Sequence, residues 1–445
     1  MDNRSLCEEI FISGVRSVMP GNLVNRHLKV TDNILVAGGR EFDLDTVKNI
    51  YVIGAGKASA YMASAVEKIL NDRITGGCVV VKYGFGTGLK AIKVIEAGHP
   101  VPDSNSYTAT EEIIGIAKQA GEKDLVISLF SGGGSSLLAD VPEGCAHDDI
   151  MKLNDLLVNS GATIEEINTV RKHLSLVKGG QLAGIVSPAS LINLMISDVP
   201  GNMPDVIASG PAVPDPTTFS QALEVIAKYE INAIVPAGIL TYLEEGVSGL
   251  KKETPKPGDV AFKNTISILA GSNKIALESA QSTAIAYGLS TQIITDSLQG
   301  DVNAVARHIV DFAGNVQFDE SVSKPACFLF GGETTIKMTG KGMGGRNQHL
   351  ALLIAEMLSG KNGITVLCAG TDGNDGPTEA AGAIVDSDTV VKARTMLVEP
   401  QEYLKRFDSF NFFRKVGGHV ITGPTKTNVM DIIVVLADHT GSKDR

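Results

Sequence analysis

The sequence predicts an α/β fold in two domains, and three features of the chain carry that prediction. Apolar runs rich in Val and Ile alternate with helical patterns along most of its length. Its 445 residues, 43% of them hydrophobic, are more than one core normally serves. Between the two series of alternating elements lies GVSGLKKETPKPGD (246–259), which has no periodicity and gathers Gly, Pro and Lys, as an exposed connection would. The expected domains are therefore 1–245 and 260–445.

In the first series the strands are YVIGAG (51–56), CVVVK (78–82), IKVIEA (92–97), DLVISLF (124–130) and SLINLMIS (190–197). Runs this uniformly apolar suit a parallel sheet with helices on both faces. Lys57 to Leu70 reads as a helix, and Thr163-Ile164-Glu165-Glu166 is a capping-box start for the helix that holds Arg171. The second series has strands at 265–271, 290–295, 326–332, 364–370 and 431–437, with helices at 273–287, 301–315 and 344–358. The N-terminal twenty residues carry acids and lack an apolar targeting core, so they read as an amphipathic helix; no later run reaches the roughly 18 apolar residues of a membrane span.

Composition narrows the function classes. A net charge of -11 argues against a nucleic-acid partner, so anionic substrates must meet local positive charge. Five cysteines without C-x-x-C spacing suggest neither a disulfide framework nor a zinc site and fit a reducing cytoplasm.

Glycine-rich segments follow the strands at the ends where open α/β sheets bind ligands. In Gly54-Ala55-Gly56-Lys57 a strand turns straight into a helix, which either holds an anion on backbone amides beside the Lys57 charge or is a plain tight turn. The nearest pattern is a Rossmann-like G-x-G-x-x-G with Ser59 in its last place, but strand two ends in Lys82, where a dinucleotide site offers an acid. Ser131-Gly132-Gly133-Gly134-Ser135 reads as a phosphate loop in preference to a structural turn; a serine nucleophile fails because G-x-S-x-G is absent. Asp198, in Ser197-Asp198-Val199-Pro200-Gly201-Asn202, is placed to bind magnesium, to accept a substrate proton or simply to cap a turn. Glu333 closes a later strand, and Arg346 and Asn347 open a helix behind a glycine-rich loop, where an arginine fork suits a transferring phosphoryl group. Asp372 and Asp375 suit hydrated magnesium, a ribose or an Asp-Gly turn, and the loop ending in Asn428 completes the set.

Taken together, IGAGKAS (53–59), GHPVPD (98–103), SGGGSSLL (131–138), SDVPGN (197–202), SGPAVPDPTT (209–218), GGET (331–334), GRNQ (345–348), GTDGNDGPTEAAG (370–382) and GPTKTNV (423–429) resemble the glycerate 2-kinase family, whose C-terminal half is the MOFRL domain. The resemblance spans about residues 5–438. It implies two α/β domains around a deep cleft, ATP as donor and D-glycerate as acceptor giving 2-phosphoglycerate, with Lys57 and Arg346 matching the basic residues of that cleft. Lys57, Asp198, Glu333, Arg346 and Asp372 are expected to converge there. Asp198, or Glu333 with Asp372, is expected to hold Mg2+, and His99 and the Ser131–Gly134 loop to line the N-terminal wall. A homodimer is the expected assembly. The competing enzyme class is an NAD(P)H-dependent hydroxypyruvate reductase, a label also given to members of this family; it would use GAGKAS as a dinucleotide turn, with Lys82 facing a 2′-phosphate. A noncatalytic sugar-acid or nucleotide binder would leave the acids idle.

Overall fold

The computed structural model describes residues 1–438, which form two compact units. One comprises Leu23–Ser197 and Asn202–Ala270; the other comprises Met1–Asn22, Asp198–Gly201 and the chain from Gly271 onward. This division departs from the sequence expectation at both ends of the first domain. The helix Asn3–Ser17 belongs to the C-terminal unit, where Gly14 lets it approach the helix Asn273–Ala286: a β-carbon there would lie 2.9 Å from the Ala276 carbonyl oxygen. The 246–259 stretch is no free linker. Glu253 pairs with His173 and accepts the Phe219 N–H, and buried Thr254 donates to Asp215.

In the N-terminal unit, β1 (Leu28–Thr31), β2 (Ile34–Ala37) and β3 (Arg40–Asp43) make a small antiparallel sheet. The main sheet holds β4 (Ile50–Ala55), β5 (Gly76–Lys82), β6 (Lys93–Ala97), β7 (Leu125–Phe130), β8 (Ser190–Ile196) and β9 (Thr265–Gly271). Its order is β6-β5-β4-β7-β8-β9, with parallel pairing from β6 through β8. The strand read as opening the second domain, β9, is thus the edge of the first sheet. Every residue of β7 is buried, so both faces of the sheet are covered there. Strand order reverses between β4 and β7, which opens a crevice at their carboxyl ends, the place where such sheets bind ligands. A helical layer with its own core, formed by His147–Asn159, Ile164–His173, Phe219–Lys228 and Ala237–Val247, completes the unit.

The C-terminal unit is a mixed sheet of β10 (Ser290–Asp301), β11 (Ala326–Thr335), β12 (Ile364–Gly370), β13 (Gly382–Asp386), β14 (His419–Val420) and β15 (Asp431–Ala437). The order is β10-β11-β15-β12-β13-β14, and only β10 and β11 pair in parallel. Inserting β15 antiparallel between β11 and β12 sets its first residue level with their ends: Asp431 pairs with Gly332 on one side and Gly370 on the other. The buried Asn273 amide fixes that strand start by donating to the carbonyls of Val429 and Asp431.

Candidate active site

At the β4/β7 crevice two glycine-rich turns interlock. The Gly56 N–H donates to the Val80 carbonyl, Lys57 N–H to Gly132 at 2.9 Å, Ala58 N–H to the Ser131 hydroxyl at 3.0 Å and Ser59 N–H to Gly56. The amides of the first turn are therefore engaged inside the unit, and what that turn presents is the Lys57 side chain, which makes no ion pair among the described residues. Two positions are obligatory glycines. Gly56, at φ +133°, lies so close to Ser131 that a β-carbon would overlap its hydroxyl, and Gly133, at φ +82°, would set one 2.7 Å from His99 Nε2. Gly54 is packed against the β7 backbone at Leu129. Ser131 itself is buried as the clamp on Ala58, so its hydroxyl serves the fold.

The second turn behaves differently. Gly134 N–H returns to the Ser131 carbonyl, but the N–H groups of Gly132 and Gly133 have no acceptor among the described residues. The helix behind them, Gly134–Leu137, is a single turn, so anion-binding capacity rests on these loop amides and the nearby cation. Ser135 hydrogen-bonds the Ser209 hydroxyl at 2.9 Å, tying the loop to the SGP segment. His99 lies against Gly133, and burial, then the Lys57 and Lys82 charges, push its pKa down to about 4, so its ring is neutral at pH 7. Asn202 adopts a left-handed conformation with its Oδ1 buried and unpartnered. Asp198, half-buried, stands just past the carboxyl end of β8 and belongs to the C-terminal unit.

In that unit the alignment of β11, β12 and β15 brings the predicted Glu333, and Asp431, to Arg346, the first residue of the helix Arg346–Leu358. Its Nε and Nη2 donate to the two oxygens of Asp431 at 2.6 and 2.9 Å, and Nη1 donates to Glu333 at 2.5 Å. Burial alone would lower the guanidinium pKa; the Asp431 hydrogen bonds and charge, with Glu333 and Asp375 behind them, instead raise it. These three bonds leave two of the five guanidinium N–H groups for a ligand. A β-carbon on Gly370 would lie 3.3 Å from both Asp372 and Asp431, so Asp372 belongs to the same acidic edge. Asp431 was missed in the sequence because it reads as the polar residue that starts an apolar strand. Asn428 accepts the Met430 N–H ahead of that strand.

Asp375 has a different job from the metal or ribose contact expected of it. It is buried, and its two oxygens accept the N–H groups of Asn347 and Gln348, capping the helix that carries Arg346. Asn347 is likewise buried, with an unpartnered Oδ1. Burial pushes the Asp375 pKa up to about 6 despite those N–H bonds, and the Asp431 charge adds to the rise. A carboxyl raised above its unfolded value stabilises the fold below that value and loses the contribution as pH rises through about 6. Wild type should therefore lose about 2 kcal/mol relative to Asp375→Asn between pH 4 and 7, the variant itself starting lower because its amide offers one accepting oxygen where the carboxyl offers two. Denaturant unfolding of both proteins at the two pH values checks this; parallel pH dependence would remove the titration from Asp375.

Magnesium is the group the resemblance implies. Among the described residues no cluster of three or more His, Cys, Asp or Glu side chains is set to hold a metal. The acids available are oxygen donors along one edge, which fits an ion that keeps waters and substrate phosphates as most of its ligands.

Residues 6–244 match the family described as "Domain of unknown function (DUF4147)", and residues 326–431 match the MOFRL family. The chain is 41% identical to a D-glycerate 2-kinase of Thermotoga maritima, over 97% of this chain and 98% of that protein. A relative from Agrobacterium vitis, named for hydroxypyruvate reductase activity, is 43% identical over 86% of each chain. The crystal structure of a Thermotoga maritima glycerate kinase, at 40% identity, superposes with a TM-score of 0.86 over 98% of this chain and 99% of the other.

Proposed function

The chain belongs to the glycerate 2-kinase family with a MOFRL C-terminal region, and from this we infer that it transfers the γ-phosphoryl group of ATP to the 2-hydroxyl of D-glycerate, giving 2-phosphoglycerate and ADP. The observation that carries this reading over a nicotinamide reductase is the state of the GAGKAS turn. A dinucleotide site needs the amides of its first turn for the pyrophosphate, whereas here Gly56, Lys57, Ala58 and Ser59 all donate within the unit. The free cradle is instead Gly132–Gly133, in the same unit as the Lys57 side chain, which makes no ion pair among the described residues.

Phosphoryl transfer asks little covalent chemistry of a protein and much fixed charge. Lys57 and the Gly132 and Gly133 amides neutralise phosphate oxygens. Arg346, pre-oriented by Asp431 and Glu333, directs its remaining N–H groups at the transferring group. Asp198, or Glu333 with Asp372, would hold magnesium, which when bound offsets charge on the nucleotide phosphates. His99, uncharged, limits the positive charge beside Lys57. No described helix is long and apolar enough to cross a membrane, and the five cysteines are free, as suits a cytoplasmic enzyme.

Incubation with ATP, magnesium and D-glycerate should yield a phosphomonoester whose phosphorus resonance couples to a single proton, at C2. A signal coupled to two protons would place the phosphate on the 3-hydroxyl, and oxidation of NADPH by hydroxypyruvate without ATP turnover would restore the reductase reading.

A further inference from the structure

The helix Ile164–His173 carries a cation that the reaction scheme above does not use. Arg171 is half-buried, and its only side-chain partner among the described residues is Asn154, whose Oδ1 accepts from Nε at 2.7 Å. No carboxylate pairs with it, and burial lowers its pKa without any opposing acid. The two residues that follow illustrate the contrast: Lys172 is buried against Asp205 and Asp215, and His173 against Glu253. A desolvated guanidinium without a counter-ion is unfavourable unless something anionic completes it.

Its surroundings lead back to the glycine-rich loop. Asn168, one turn earlier on the same helix face, accepts from the Ser209 hydroxyl at 3.4 Å, and Ser209 bonds Ser135 at 2.9 Å. Lys178, close enough for the Arg171 charge to depress its pKa further after burial, donates to the Leu138 carbonyl at the end of the loop and lies 3.7 Å from Asp140. Arg171 is thus the cation of this neighbourhood left without an acid, with Nε anchored and both Nη groups unengaged.

We propose that Arg171 seats the carboxylate of the acceptor substrate through its two Nη groups, with Asn154 holding the fork in orientation. The assignment rests on the glycerate kinase reading. A planar fork matches a carboxylate in two parallel bonds, while Lys57 and the loop amides already provide for phosphate.

The test compares D-glycerate with its neutral amide, glyceramide, in wild type, Arg171→Gln and Arg171→Lys. Arg171→Gln should raise the KM for glycerate about 100-fold, with kcat changed less than about threefold and the KM for ATP within about twofold. Arg171→Lys should fall between, and the preference for glycerate over glyceramide should shrink in step. A KM rise confined to ATP would assign Arg171 to a nucleotide phosphate and overturn the proposal, as would an unchanged KM for glycerate in a folded variant. Calorimetric titration of wild type is independent of the variants' folding: equal affinity for glycerate and glyceramide would show that no carboxylate seat exists. Absence of any phosphoglycerate from wild type would instead remove the kinase reading, and this proposal with it.

Discussion

Lys57→Ala should lower kcat by about a thousandfold while leaving the protein folded. The fold is expected to survive because the Lys57 ammonium makes no ion pair among the described residues, and what the structure takes from this position is the backbone N–H bond to Gly132, which alanine retains. The loss should appear in turnover more than in ATP affinity, since a charge on the transferring group matters most when that group is loosened from both oxygens. A second readout needs no substrate. Burial remains the main depressant of the His99 pKa, but removal of the Lys57 charge takes away the next, so the His99 ring should titrate at higher pH in the variant. Kinetics, ATP titration and histidine NMR together check this. Turnover within tenfold of wild type, with His99 unmoved, would take Lys57 out of the site.

Arg346→Lys keeps the charge but should still lose about a hundredfold or more in kcat. A lysine has a single nitrogen and cannot reproduce the two parallel bonds to Asp431, the bond to Glu333 and two outward N–H groups at once. Because Asp431 is buried, weakening its partner should also destabilise the C-terminal unit, by about 1 to 3 kcal/mol. The two effects separate by experiment. Denaturation reports the second, and kinetics well below the unfolding temperature report the first. Asp431→Asn offers the complementary case: Arg346 would stay in place but lose its fixed orientation, so turnover should fall with charge at position 346 unchanged. Near-normal turnover in Arg346→Lys would shift attention to the lysines of the C-terminal loops, Lys341 and Lys426.

The strands were legible because long apolar runs buried on both faces announce themselves, and β4, β5, β7, β12 and β15 lie within two residues of where the pattern puts them. The Thr163 capping box forms as read. Pairing was not legible. Nothing within TISILAG says that it extends the first sheet, and the four-residue strands β1 to β3 are too exposed and short to show a period. In the site, glycines and charged residues stood out one by one, but their division of labour depends on contacts across the sequence. Asp431 matters because an antiparallel strand brings it to Arg346, and Asp375 turned from a ligand candidate into a helix cap because its oxygens meet two N–H groups at 3.0 and 2.8 Å. The Gly56 turn looked able to bind an anion until the interlock with Ser131 and Gly132 became visible.

The central place of β15 also sets an order of events during synthesis. The strand that separates β11 from β12 is made after both of them, so neither neighbour has its lasting hydrogen-bond partner on that side until residue 437 is out. The helix Asn3–Ser17 packs on Asn273–Ala286 and waits for its seat while the whole intervening first unit is made. The span Leu23–Ala270, by contrast, has its own unit's partners as soon as it emerges, since within it only Asp198–Gly201 belong to the other unit. At roughly 5 to 20 residues per second the nascent chain therefore carries a folded first unit beside an apolar, unsealed second one for about ten seconds or more. That interval, more than the equilibrium stability of the finished protein, is when chaperones would have the most to do.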